Sequence, residues 1–124
     1  MPVEHSENIV RGVFTNDWDD EQRRISPSFF KGQGTSVSRL ALASLGEHWD
    51  LFRTQENPPE RELKLISEIN VGELHQIGQS YVPSTPLSVE PKPEDWNPAH
   101  AEIPERITKG LSRQIGNRLR LHSP

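Results

Sequence analysis

Residues 63–78, Leu-Lys-Leu-Ile-Ser-Glu-Ile-Asn-Val-Gly-Glu-Leu-His-Gln-Ile-Gly, change their apolar period midway. Leu63, Leu65, Ser67 and Ile69 fall on one side and Lys64, Ile66 and Glu68 on the other, the alternation of a half-buried strand. From Val71 the apolar positions Val71, Leu74 and Ile77 step by three, so a short helix follows and Gly78 closes it. A strand that hands over directly to a helix predicts mixed secondary structure.

Outward from this stretch the same reading gives further short elements. On the N-terminal side, Asn8 to Phe14 reads as a strand, because Ile9, Val10, Val13 and Phe14 are strand formers. Thr15 to Gln22 reads as a polar loop, and Ser26-Pro27 places proline at the start of a helical turn ending near Lys31. Thr35 to Ser38 is a second strand. Ser44 and Glu47 have capping-box spacing, and Leu45, Trp49 and Phe52 then form one face of a helix that stops before Asn57-Pro58-Pro59. On the C-terminal side, Val82 to Pro98 is expected to cross as a proline-rich loop with an extended piece at Leu87 to Val89. Ala99 to Ile103 is a strand held between prolines. Glu105 to Leu121 is a final helix with Ile107, Leu111, Ile115 and Leu119 as its seam. The expectation is one α+β domain over residues 1–124, with three to five short strands, two or three helices and long proline-rich loops.

Composition narrows the function classes. Hydrophobic residues make up 31% of the 124, so the core is thin, and there is no cysteine, which excludes disulfides and thiolate chemistry. A thin core without disulfides suits the cytoplasm. The start of the chain has neither a basic segment nor an apolar run, and nothing approaches a membrane span, so no membrane partner is expected. Phosphate-binding, dinucleotide, zinc-protease and nucleophile-elbow motifs are all missing. The five histidines never fall at helical spacing, so a histidine metal site would have to be assembled by tertiary folding, and none is assigned.

The net charge of −4 is unevenly spread. Arg106, Lys109, Arg113, Arg118 and Arg120 stand against Glu105 alone near the C-terminus. In helical projection Lys109, Arg113 and Arg120 cluster opposite the seam, while Arg118 turns toward the core. This basic face suits a protein partner. Nucleic acid is the less favoured partner class, because no aromatic residues are interleaved with the basic ones to stack bases.

Arg11, Ser38, His100 and Glu102, together with Arg118, carry a catalytic alternative. His100 and Glu102 share one face of the late strand, where they form either an acid/base pair or the polar side of an edge strand. Arg11 sits among strand apolars on the face of Ile9 and Val13, which requires either a carboxylate partner or a bound anion. Ser36 and Ser38 share a face of the second strand. With Arg118, the residues Arg11, Ser38, His100 and Glu102 would serve a small enzyme if they met in one pocket, for example a metal-independent ribonuclease.

Arg11-Gly12 in an early strand, Ser36-Val37-Ser38-Arg39 in the second and Glu102 in a late one resemble the Arg, Ser, Glu order of ADP-ribosyltransferase-type folds. The resemblance implies that Arg11 and Ser38 hold NAD and that Glu102 assists transfer. The whole sequence is also similar to short uncharacterised bacterial proteins with an early Arg-Gly, a middle Ser-Val and a late Asn-Pro-x-His-Ala-Glu segment, a resemblance that implies no activity. The leading expectation is a non-enzymatic binding or accessory subunit of a larger bacterial complex, needing no cofactor, that docks through its loops and through Lys109, Arg113, Arg118 and Arg120.

Overall fold

A computed structural model describes residues 2–54 and 61–124. The strand-to-helix switch lies where the sequence places it: β5 (Leu63–Asn70) runs without a break into α2 (Val71–Ser80). Asn70 makes the switch, because its side chain accepts the Glu73 N–H and so caps the helix. Before β5 come β1 (Asn8–Phe14), a 3-10 turn (Thr15–Asp17), β2 (Trp18–Asp19), β3 (Arg24–Ile25), β4 (Thr35–Arg39) and α1 (Leu45–Thr54). After α2 come β6 (Glu90–Pro91), β7 (His100–Ile103), α3 (Lys109–Gly116) and β8 (Arg120–His122).

Six strands form one antiparallel sheet in the order β6-β7-β4-β1-β5-β8, and β2 pairs with β3 as a separate ribbon. β1 and β5 pair along their whole length, from Asn8↔Asn70 to Phe14↔Leu63, with an irregularity at Val13/Phe14. Ile9, Val13, Val37, Ile69, Ala101 and Ile103 pack with α2, α3 and the Phe29–Phe30 turn into the larger core. On the opposite face Val10 and Ile66 meet Trp49 and Phe52 of α1. The domain is α+β.

Several expectations are corrected. Among the described residues eight strands form, more than the three to five read from the sequence, because β2, β3, β6 and β8 are two or three residues long and carry no periodicity. Helices on both faces leave β5 buried on both sides at Ile66, Ser67, Glu68 and Ile69, so it is no half-buried strand. Residues 27–30 make a turn instead of a helical one. α2 continues past Gly78 to Ser80, because Gly78 is there for close packing against Thr85 and Leu87. The Ser44–Glu47 capping box forms, with Glu47 N–H donating to Ser44 Oγ at 3.1 Å and Ser44 N–H to Glu47 Oε1 at 2.9 Å. The stop expected at Asn57-Pro58-Pro59 lies outside the described residues.

The last helix differs most. It covers Lys109–Gly116 instead of Glu105 to Leu121, and Arg120–His122 pair with β5 as Ile66↔His122, Ser67↔Leu121 and Glu68↔Arg120. Thr108 caps its start and Gly116-Asn117 ends it, while the exposed ladder of β5 offers the departing chain more hydrogen bonds than another helical turn would. Ile107, Leu111 and Ile115 are buried in the seam, but Arg120 leaves the helix for a strand, so the expected basic face shrinks to exposed Lys109 and Arg113. Arg118 does not face the core. Its side chain is exposed and stands 3.9 Å from Glu73.

Candidate functional site

β1 and β4 pair only at Ile9↔Arg39 and Val10↔Ser38, although β1 runs on to Phe14 and β4 begins at Thr35. Where the two strands part, a cleft of about 320 Å³ opens, lined among others by Arg11, Ser38, Arg61, Trp96, Asn97 and His100. Arg11 spans the split. Its guanidinium lies 5.0 Å from the Phe29 ring centroid and 5.9 Å from that of Phe30, and Nη1 donates to the Ser36 carbonyl at 2.6 Å. The side chain thereby supplies a hydrogen bond that the interrupted ladder does not.

The ion pair expected for Arg11 does not form: among the described residues no carboxylate comes within 4.0 Å of it, and its buried Nε has no hydrogen-bond partner. Burial pushes its pKa down; Asp17 pulls it up through charge and Arg61 pushes it down further. Asp17 and Glu94, the two acids that line the cleft, are engaged elsewhere. Asp17 accepts the Phe14 N–H at 3.1 Å, and Glu94 stands 3.2 Å from His100 Nδ1.

Ser38 belongs to a closed network. His48 Nδ1–H donates to the Ser44 carbonyl at 3.0 Å, which leaves Nε2 to accept from the Ser38 hydroxyl at 2.6 Å. Asn97 Nδ2 donates to Ser38 Oγ at 2.9 Å, and Asn97 Oδ1 accepts the Ala99 N–H at 3.0 Å. Burial holds the His48 pKa below the ordinary imidazole value, so the ring is neutral, as this chain of donors requires. Ser38 and His48 are 1% and 0% exposed. The network ties α1, β4 and the turn before β7 together, forming the firm back wall of the cleft.

His100 and Glu102 share a face, as alternation requires, and register sets them opposite Ser38 and Ser36. The edge-strand reading is corrected, because β7 lies between β6 and β4 and His100 is buried. His100 Nδ1 donates to the Lys92 carbonyl at 2.8 Å. Glu102 turns away to Lys92 Nζ at 3.1 Å and does not line the cleft. Of the enzyme set, then, Arg11, Ser38 and His100 come together, Glu102 lies two residues along β7 from His100 and outside the cleft, and Arg118 lies in a different groove with Glu73 and Tyr81.

Sequence reading missed His48, Asn97, Trp96 and Arg61. The one local signal was His48 itself, four residues after the helix-capping Ser44, where a ring nitrogen can reach the cap carbonyl. Among the described residues no group of three or more histidine, aspartate and glutamate side chains is placed to hold a metal, and no helix is long and apolar enough to cross a membrane. None of the protein-family models, curated proteins or solved structures compared with the chain matches it.

Proposed function

We propose that the chain is a non-enzymatic binding subunit, an accessory part of a larger bacterial cytoplasmic assembly, and that its recognition site is the β1–β4 cleft, which takes an anionic group on Arg11. A contrast between two arginines carries this reading. Arg39 places Nε and Nη2, the side-on fork of the guanidinium, on Glu7 at 3.0 and 2.7 Å. The same fork of Arg11 has no partner among the described residues, although its Nε is buried. A half-buried cation whose buried Nε lacks a partner is compensated when a carboxylate or phosphate arrives. Trp96, Phe14 and Phe52 on the cleft walls suit a flat group attached to that anion. Docking to a protein partner would use exposed Lys109 and Arg113, with Arg118 and Arg120 on separate surfaces. No cofactor is required.

Thermal unfolding in inorganic phosphate, acetate and ADP tests the cleft. At least one of these anions should raise the midpoint of the wild type, because a ligand that binds only the native state stabilises it, and Arg11→Gln should abolish the shift. Absence of a shift with every anion, or an equal shift in Arg11→Gln, would overturn the reading.

One observation favours the NAD-using alternative. Arg11 on β1, Ser38 on β4 and Glu102 on β7 stand on three adjacent strands, so the Arg, Ser, Glu order runs across the sheet. NAD hydrolysis by the wild type that is lost in Glu102→Gln would replace the binding reading with this one. The ribonuclease alternative lacks such support, since His100 and Glu102 are committed to different partners.

A further inference from the structure

Tertiary folding joins two histidines that are seventy residues apart in sequence. His5 lies on the segment leading into β1, and His75 lies on the second turn of α2. Their ring centroids are 5.1 Å apart, with the planes inclined by 36°. The backbone holds both in place. Gly72 N–H donates to the His5 carbonyl at 3.0 Å and Val71 N–H to that of Glu7 at 2.9 Å, so the segment is pinned to the start of α2. The absent side chain of Gly72 lets His5 approach this closely.

The chemistry of the pair is that of a chelate. His75 Nδ1–H donates to the Leu87 carbonyl at 3.2 Å, which fixes the tautomer and leaves Nε2 with an open lone pair. A ring N–H given to a backbone carbonyl is the support that metal-binding histidines ordinarily have. His5 makes no ring hydrogen bond among the described residues and is exposed, so an ion can enter from solvent. Geometry agrees. A late first-row ion binds imidazole nitrogen at about 2.0–2.1 Å, which puts each ring centroid about 3.2 Å from the metal, and two such rings at a tetrahedral angle are about 5 Å apart.

We propose that His5 and His75 form a two-histidine site for a late first-row divalent ion, with copper(II) bound most tightly, as the general affinity order of such ions requires. The remaining coordination positions belong to water or to an external ligand. The ion would clip the segment before β1 onto α2, and neither histidine lines the β1–β4 cleft.

Copper(II) titration of the full chain at neutral pH, followed by calorimetry and electron paramagnetic resonance, tests the site. The wild type should bind one ion with hyperfine splitting from two imidazole nitrogens. His5→Ala and His75→Ala should each weaken binding at least tenfold and reduce the splitting to that of one nitrogen, with unchanged far-UV circular dichroism. His122→Ala, which removes a histidine already engaged by Glu68, should bind as the wild type does. Wild-type affinity in either His5→Ala or His75→Ala, or equal weakening in all three variants, would show that the two rings merely stack and would overturn the proposal.

Discussion

Arg11 and Arg39 occupy neighbouring strands, yet their substitution should have opposite consequences. Arg39 is paired with Glu7, whose side chain is only 11% exposed, and the hydrogen bonds from Arg39 hold the Glu7 carboxyl below its usual pKa. Arg39→Met would strand that carboxylate and should destabilise the protein by about 3 kcal/mol, because the remaining charge is left buried without its partner. Arg11 has no carboxylate to strand. Arg11→Met keeps the contact with the Phe29 and Phe30 rings, removes an unsatisfied Nε and gives up the bond to the carbonyl of exposed Ser36, which water can replace, so its stability should stay within about 1 kcal/mol of the wild type. Urea unfolding of both variants measures the difference, and a large loss in Arg11→Met would mean that the cation is structural. The need of Arg11 for a counter-charge was legible in the sequence, since a cation between Ile9 and Val13 on a strand face demands one. That neither Asp17 nor Glu94 supplies it was not legible, because each turns to a partner close in sequence, the Phe14 N–H for Asp17 and His100 for Glu94, and nothing in the sequence says that these local contacts prevail over Arg11.

At the scale of elements, glycines separate close packing from mere chain flexibility. A Cβ on Gly78 of α2 would overlap the Thr85 carbonyl oxygen and crowd Leu87, so Gly78→Ala should destabilise by about 1–3 kcal/mol. Gly116, the last residue of α3, has open space around it, and Gly116→Ala should stabilise by about 0.5–1 kcal/mol through the lower entropy of the unfolded chain. Thermal midpoints that move the same way in both would contradict this assignment. Leu111→Ala in α3 should lower stability by roughly 2–4 kcal/mol, since Leu111 is 1% exposed at the centre of the larger core and its truncation leaves a cavity. Coincident urea midpoints of Leu111→Ala and wild type would show that the helix is not packed there. Among the elements read correctly from sequence, β1 came from its strand formers, α1 from its capping box, and the passage from β5 to α2 from the change of apolar period between Ile69 and Val71. β8 carried no such signal. Leu119 continues the four-residue seam of α3, so periodicity extends the helix, and only the free edge of β5, invisible in one dimension, turns Arg120–His122 into a strand.

Over the whole molecule, three buried or half-buried ionisable groups set how stability depends on pH. His48 has its folded pKa lowered by burial, so between about 6.5 and that lower value the unfolded chain binds a proton that the folded chain refuses. The stability contributed by the Ser38–His48–Asn97 network is therefore complete above about pH 6.5 and declines as the pH falls. Burial pushes the Glu68 carboxyl up, but hydrogen bonds from Asn8 and His122 and the charge of Arg120 outweigh it, and its folded pKa lies below the usual value, as does that of Glu7. Their contribution is present above about pH 4.5 and is lost as the pH falls through their folded values, when protonation releases Arg39 from Glu7 and His122 from Glu68. Thermal midpoints should consequently decline in two stages, the first beginning below about pH 6.5 and the second below about pH 4.5. His48→Gln should flatten the first stage at a lower overall stability, and Glu68→Gln should reduce the second while leaving the first intact. The stages are independent because His48 reaches from α1 to Ser38 on β4, whereas Glu68 is on β5, with β1 between the two strands. A first stage that persists unchanged in His48→Gln would place the near-neutral proton elsewhere and would remove the neutral imidazole as the group that keeps the back wall of the cleft closed.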